Sequence, residues 1–519
     1  MFRTNLYRLN MKTFTPKTKF LSFQLKYLFP LLLLFSLNVS ESHAQQAFFW
    51  SQQERIPQYL YSTEEPPYLI ADLNHTVHAF NSQPLNLDEA GSPKAIFYRQ
   101  WTIENGWTFP NDILFDSGGG FMDLLGVSTD QTGNVLMILQ LYNHDVYYAQ
   151  APLVSANQSS AWSIPIKIAD GSLQVSPGLA IVAAIANDEE GKNIVVIYSG
   201  TRPSGLYFTS SSDHGQNWTE PYPIYLTGDE TMVIKDPKLS IGESNVVHAV
   251  WATALETGFG GPAYYANFDF ETSSWSEPME LDVPGIRTPS VIETQGKIYV
   301  SYHHINVNGN WWRSSSDGGK TWSLPEQIAS RHVGTNGAVS FTVDGANVLH
   351  AFFGQRIDDN NHGMWHATFT GATWTGIESI VRGPQIRDPT GKEGFDPRSA
   401  RAVIVNGNTA LVTWGTDGSA GTNGAWYSYK LLDTPELDSI PLESSTVVPA
   451  DIPTSTPAVT PPAMDVEPTA SSSINDMETF SNSPEFVRNP QFSIIIGVAP
   501  AVILLGGMVL LYYFLQKNK

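Results

Sequence analysis

From Gln45 to Leu432 apolar and polar positions alternate in short runs, and the runs recur as a set. A set opens with an apolar hairpin carrying a Gly or Asn turn, as in Val246-Val247-His248-Ala249-Val250-Trp251 and Asn347-Val348-Leu349-His350-Ala351-Phe352. An aromatic-rich segment follows, such as Val146-Tyr147-Tyr148 or Ala263-Tyr264-Tyr265, and the set ends on a tryptophan followed by Ser or Thr. That dipeptide begins at Trp50, Trp107, Trp162, Trp218, Trp275, Trp322 and Trp374, with gaps of 57, 55, 56, 57, 47 and 52 residues. Alternation with a period of two is strand patterning, and its recurrence about every 50 residues is the signature of a four-stranded propeller blade.

The chain is therefore expected to be all-β, with a seven-bladed β-propeller over 45–432. The seventh set, Ala400–Tyr429, ends without a Trp-Ser/Thr strand of its own, whereas Trp50-Ser51 precedes the first inner strand, Pro67–Ala71. The N-terminal segment is thus predicted to supply the outer strand of the last blade. Such closure removes the two sheet edges that an open array would expose.

The flanks read differently. Six basic residues precede an apolar run at Tyr27–Val39, and Ser42-His43-Ala44 supplies small residues for cleavage, so 1–44 is expected to be a secretory signal peptide. Asp433–Pro490 holds ten prolines and ten acids against one base, too few apolar groups to fold, and 433–493 is expected to be a disordered, partly extended stalk. Ile494–Leu515 is uncharged and is followed by Gln516-Lys517-Asn518-Lys519, which predicts one C-terminal transmembrane helix over 494–515 and a basic cytoplasmic tail over 516–519. The expected location is the cell membrane in a single pass, with the propeller extracytoplasmic and the membrane engaged only through that helix.

Charge and composition narrow the chemistry. Lys+Arg number 29 against 50 Asp+Glu, a formal charge of −21, and binding to nucleic acid phosphates is not expected of such a chain. There is no cysteine, which excludes thiol nucleophiles, disulfides and Cys-ligated metals. No cofactor and no metal centre are expected, and the acidic run Asp358-Asp359-Asn360 is too generic to specify calcium.

Two sets carry a sharper motif, Ser211-Ser212-Asp213-His214-Gly215-Gln216-Asn217-Trp218 and Ser315-Ser316-Asp317-Gly318-Gly319-Lys320-Thr321-Trp322. Both fit S-x-D-x-G-x-x-W, which resembles the Asp-box, or BNR repeat, of the sialidase-like propeller superfamily. The motif itself reads as a folding device, with Ser and Asp bonding turn amides and Trp packing between sheets. The resemblance implies a funnel that acts on or binds glycans. In sialidases it also implies six blades, a three-arginine carboxylate clamp, a Tyr nucleophile paired with Glu, and an Asp acid/base. Arg55-Ile56-Pro57 looks like the family's clamp motif, yet its register with Trp322–Ile328 places it on an outer strand.

In a propeller the segments leading into the inner strands converge on one central funnel. Here they include Asp236-Pro237-Lys238, Arg287-Thr288-Pro289 and Asp396-Pro397-Arg398, with Arg401 deeper, while the neighbouring loops are expected to add His303-His304 and Arg356. Lys238, Arg287, Arg356, Arg398, Arg401 and His303 are the candidate ligand-binding residues, since guanidinium groups hold a carboxylate or sulfate bidentately. Asp236 and Asp396 are the candidate general acid and base. The equivalent positions of blades one to three, Glu65-Pro66-Pro67, Gly118-Gly119-Gly120 and Ser176-Pro177-Gly178, read as bland. The expected partner is an extracellular glycan or protein ligand in the funnel; an exo-acting glycoside hydrolase and a protein-binding adhesion scaffold are the alternatives.

Overall fold

The computed structural model describes residues 49–440 apart from 60–64, 87–91, 117–121, 142, 171–180, 202, 256–259, 283, 306, 308, 330–334, 359–360, 384–396 and 417–423. The predicted signal peptide, most of the stalk, the apolar span 494–515, the tail and Asp396 lie outside the described residues, as do 118–120 and 176–178. Among the described residues no helix is long and apolar enough to cross a membrane.

The described strands form seven antiparallel sheets of four or five strands, each a blade. The inner strands are Tyr68–Ala71, Met122–Thr129, Ala183–Asn187, Met232–Ile241, Ile286–Thr294, Thr335–Val343 and Pro397–Val405, in blades 1 to 7. Each touches the inner strands of both neighbours, blade 7 meeting blade 1, so the ring is closed.

Closure is made as the sequence predicts. Blade 7 orders its strands with Glu54–Arg55 outermost on Trp426–Leu431. The Ser51 amide donates to the Tyr429 carbonyl at 2.8 Å, and the Ile56 amide to the Ala425 carbonyl at 2.9 Å. Arg55 accordingly sits on the outer strand, its guanidinium 4.9 Å from the Trp426 ring and away from the funnel.

Apolar side chains on both faces of each sheet need a partner sheet. Among the described residues the core divides into seven clusters, each spanning two adjacent blades. Between blades 3 and 4, for example, Val195 and Ile197 pack on Val247, Trp251 and Phe268. The two Asp-box-like segments close these interfaces from outside. Ser315 Oγ donates to Asp317 Oδ1 (2.7 Å) and accepts from the Gly319 amide (2.9 Å), while Trp322 Nε1 donates to the Gly319 carbonyl (3.1 Å). Ser211, Asp213, Gly215 and Trp218 repeat the pattern. The indoles then lie on a tyrosine of the preceding blade, Trp322 on Tyr265 and Trp218 on Tyr148, with centroids 5.0 and 5.1 Å apart.

Candidate functional site: the central funnel

The charged segments are not the entry loops that the sequence pattern predicts. Asp236-Pro237-Lys238 and Arg287-Thr288-Pro289 lie inside the inner strands of blades 4 and 5, at β-bulges. Lys235 and Lys238 pair with Ala252 and Val250, so the ladder skips Asp236 and Pro237; Arg287 and Ser290 pair with His303 and Ser301 in the same way. A bulge frees the backbone N–H of its extra residue from the ladder, which is why proline is tolerated there. Blade 7 has the same break between Arg398 and Arg401, and blade 6 a longer one between Asn336 and Ser340, where three residues are skipped. His303 is likewise in a strand, Lys297–His304, rather than in a loop.

All four bulges contain a residue at positive φ: Asp236 (50°), Thr288 (48°), Gly337 (83°) and Ser399 (55°). Three of these are not glycine, and such residues cost roughly 1–3 kcal/mol each unless their surroundings hold them. What holds them is a chain of contacts from blade to blade. The Thr288 amide donates to Asp236 Oδ2 (3.2 Å), and Thr288 Oγ1 donates to the Gly337 carbonyl (3.3 Å). Gly337 lies so close to Ser399 that a Cβ on it would stand 2.4 Å from the Ser399 amide nitrogen. Ser399 Oγ in turn donates to Glu65 Oε1 of the segment entering blade 1 (3.4 Å).

This arc frames a cavity of about 510 Å³, lined by Asp236, Lys238, Arg287, His303, Arg398 and Arg401 among others. Six of the eight residues singled out from sequence therefore meet at one cavity. Arg356 sits in the strand Leu349–Asp358 opposite His362, and its side chain is outside the described residues, as is Asp396. Arg401 is largely committed to the ring: its Nη1 donates to the Pro66 carbonyl (2.6 Å), its Nη2 is 3.6 Å from Glu65 Oε2, and its guanidinium stacks 3.7 Å over Tyr68. Among the described residues the charged lining is Lys238, Arg287, Arg398 and Arg401 against Glu65 and Asp236, an excess of two positive charges.

The blades that read as bland contribute more than their sequence indicates. Glu65 and Tyr68 line this cavity, and they also line a second one of about 520 Å³ that opens beside it toward blades 1 to 3. The two cavities share Glu65, Tyr68, Asp236, Lys238 and Arg401. The second is completed by Ser82, Lys94, Asp123, Gln140 and the apolar Leu124 and Val182. Lys94 Nζ and Asp123 Oδ1 are 2.8 Å apart, both partly exposed. The Tyr68 hydroxyl donates to the Leu125 carbonyl at 2.7 Å. No group of three or more His, Asp or Glu able to hold a metal ion occurs among the described residues.

Fold and site together define a seven-bladed propeller in an acidic chain, with an excess of positive groups among the described residues that line its funnel. No family model and no curated protein sequence matches it. Among solved structures it is similar to a Hadza microbial sialidase, at 11% identity and a TM-score of 0.41, over 65% of this chain and 74% of that one. It is similar also to a Dyadobacter fermentans protein of unknown function, at 16% identity and 0.43, over 73% and 99% of the two chains. A third is an ulvan lyase of polysaccharide lyase family 25, at 11% identity and 0.46, over 74% and 94%. These likenesses are ones of fold.

Proposed function

We propose that this chain is a cell-surface propeller that binds an anionic glycan in its funnel. The observation that carries the reading is the sign of the site: a cavity whose described lining residues carry two excess positive charges, in a chain whose net charge is −21. Positive groups concentrated against the overall charge attract an anion, and the low-dielectric walls of a funnel strengthen that attraction. Arg287 and Arg398 line the cavity, the guanidinium being a planar donor group suited to a carboxylate or sulfate, and Lys238 adds a point charge. Segment 1–44 would direct the chain across the membrane, and the stalk and the apolar span 494–515 would hold this funnel outside it.

Tyr68, a described tyrosine of the funnel, does not have the setting of the tyrosine nucleophile that the sialidase resemblance implies. A tyrosine nucleophile needs a carboxylate to take its proton, whereas the Tyr68 hydroxyl gives its proton to a backbone carbonyl. One observation favours the hydrolase reading: Asp236 is a carboxylate held at positive φ in the funnel, and strained residues cluster at reacting sites.

The experiment is titration of the full-length chain in detergent with glucuronate, N-acetylneuraminate, glucose 6-sulfate and glucose, by calorimetry, together with an assay for sugar release from their glycosides. Binding of the anionic sugars but not glucose, weakened at least about tenfold in Arg287→Ala/Arg398→Ala, is the expected result, since each lost charge-assisted contact is worth about 1.5–3 kcal/mol. Equal affinity for glucose would overturn the anionic reading. Sugar release abolished by Asp236→Asn would make the protein an enzyme.

A further inference from the structure

We infer that the funnel takes two adjoining sugar units of unlike charge, an anionic unit against blades 4 to 7 and a neutral, hydroxyl-rich unit against blades 1 to 3. The inference rests on the anionic-glycan reading above and adds to it the second unit and its chemistry.

The two cavities adjoin along Tyr68 and Arg401, and each, at about 510 and 520 Å³, is of a size usual for a small-molecule site. A single pyranose held by Arg287 and Arg398 would leave the second cavity filled with water. Among the described residues the charges of that second cavity cancel: Lys94, Lys238 and Arg401 stand against Glu65, Asp123 and Asp236. An anion gains nothing by entering it.

Its polar groups fit hydroxyls instead. Lys94 and Asp123, the first residue of blade 1's third strand and the second of blade 2's inner strand, set an ammonium donor 2.8 Å from a carboxylate acceptor. A vicinal diol satisfies both, one hydroxyl accepting from the ammonium and its neighbour donating to the carboxylate. Ser82 Oγ accepts from the Leu124 amide at 2.6 Å and so is fixed with its own proton available to donate. Leu124 and Val182 supply the apolar surface that the C–H face of a sugar ring covers. Tyr68, with Arg401 stacked on it, is a rigid boundary common to both units. Unlike neighbours on either side of one boundary also give the ligand a direction.

The test is calorimetric titration of the full-length chain with glucuronate, with a disaccharide of glucuronate and N-acetylglucosamine, and with digalacturonate. The mixed disaccharide is expected to bind at least about tenfold more tightly than glucuronate, and digalacturonate less than about threefold more tightly. Lys94→Ala/Asp123→Ala, which removes an ion pair of zero net charge, is expected to bring the mixed disaccharide down to the affinity of glucuronate. Saturation-transfer NMR on the wild-type chain keeps the test independent of that variant's folding: protons of both rings should receive saturation. A bound disaccharide whose neutral ring receives none, or one no tighter than glucuronate, overturns the two-unit inference while leaving the anion site standing. Digalacturonate binding as tightly as the mixed disaccharide overturns the charge assignment. Failure of glucuronate and both disaccharides to bind overturns this inference and the reading beneath it.

Discussion

Two adjacent glycines in one turn separate what an Asp-box-like segment needs from its backbone from what it needs from its packing. Gly318 and Gly319 both stand at positive φ, 73° and 86°. A Cβ on Gly318 would meet nothing within 4 Å, whereas one on Gly319 would fall 2.3 Å from Tyr265 Cε1 and 2.7 Å from its Cζ and hydroxyl oxygen. Gly318→Ala therefore carries only the left-handed backbone penalty, about 1–2 kcal/mol. Gly319→Ala carries that penalty and must also displace Tyr265, a ring 2% exposed that bears on Trp322 and bonds His248 Nδ1 at 2.8 Å. Overpacking a buried site adds typically about 1–3 kcal/mol, so the second variant should lose about 2–5 kcal/mol. Urea unfolding followed by tryptophan fluorescence should place the Gly319→Ala midpoint well below that of Gly318→Ala, with Gly215→Ala, opposite Tyr148, behaving like Gly319→Ala. Equal losses at positions 318 and 319 would refute the idea that the motif's glycine is there to let the preceding blade's tyrosine approach.

Gly337→Ala should act on the funnel rather than on the blade interfaces: its Cβ would press on the Ser399 backbone, shift the bulge that carries Arg398, and weaken glucuronate binding in calorimetry by about tenfold or more; unchanged affinity would show that the arc of bulges does not position the cations. His248 supplies a pH dependence. Burial pushes its pKa below 6.5, against the opposing pull of Glu293, and its neutral ring can accept from the Tyr265 hydroxyl while donating to Glu293. The folded state thus refuses a proton that the unfolded chain takes up as pH falls through about 6.5, so this group's contribution to stability declines from there downward. Urea midpoints measured from neutral to mildly acidic pH should fall less steeply in His248→Gln than in the wild type, and parallel declines would show that other groups carry the effect.

The blades were legible because each must bury both faces against a neighbour, and that requirement repeats with the fold. Trp-Ser/Thr recurs because one indole per blade seals an interface, and the closing strand could be located because Trp50 had no blade of its own. The funnel was legible only in part. Asp236, Lys238, Arg287 and Arg398 stood out as charges within two residues of a proline, and for the first three the bulges explain that association: Pro237 and Pro289 occupy strand positions that the ladder skips. The bulges themselves were hidden, because Asp236, Thr288 and Ser399 carry no glycine to announce a positive φ, and a bulge exists only relative to the partner strand's register. Glu65, Tyr68, Lys94 and Asp123 were hidden for a related reason. They come from an entering segment, two inner strands and the start of a third strand, and each is unremarkable among its sequence neighbours. Closing the ring is what brings Glu65 from before the first blade to Ser399 and Arg401 of the last, so these contacts come into existence only when blade 7 meets blade 1. It follows that the strand supplied by Glu54–Arg55 does more than cover an edge: it completes the blade whose Ser399 and Arg401 meet Glu65 across the closed ring.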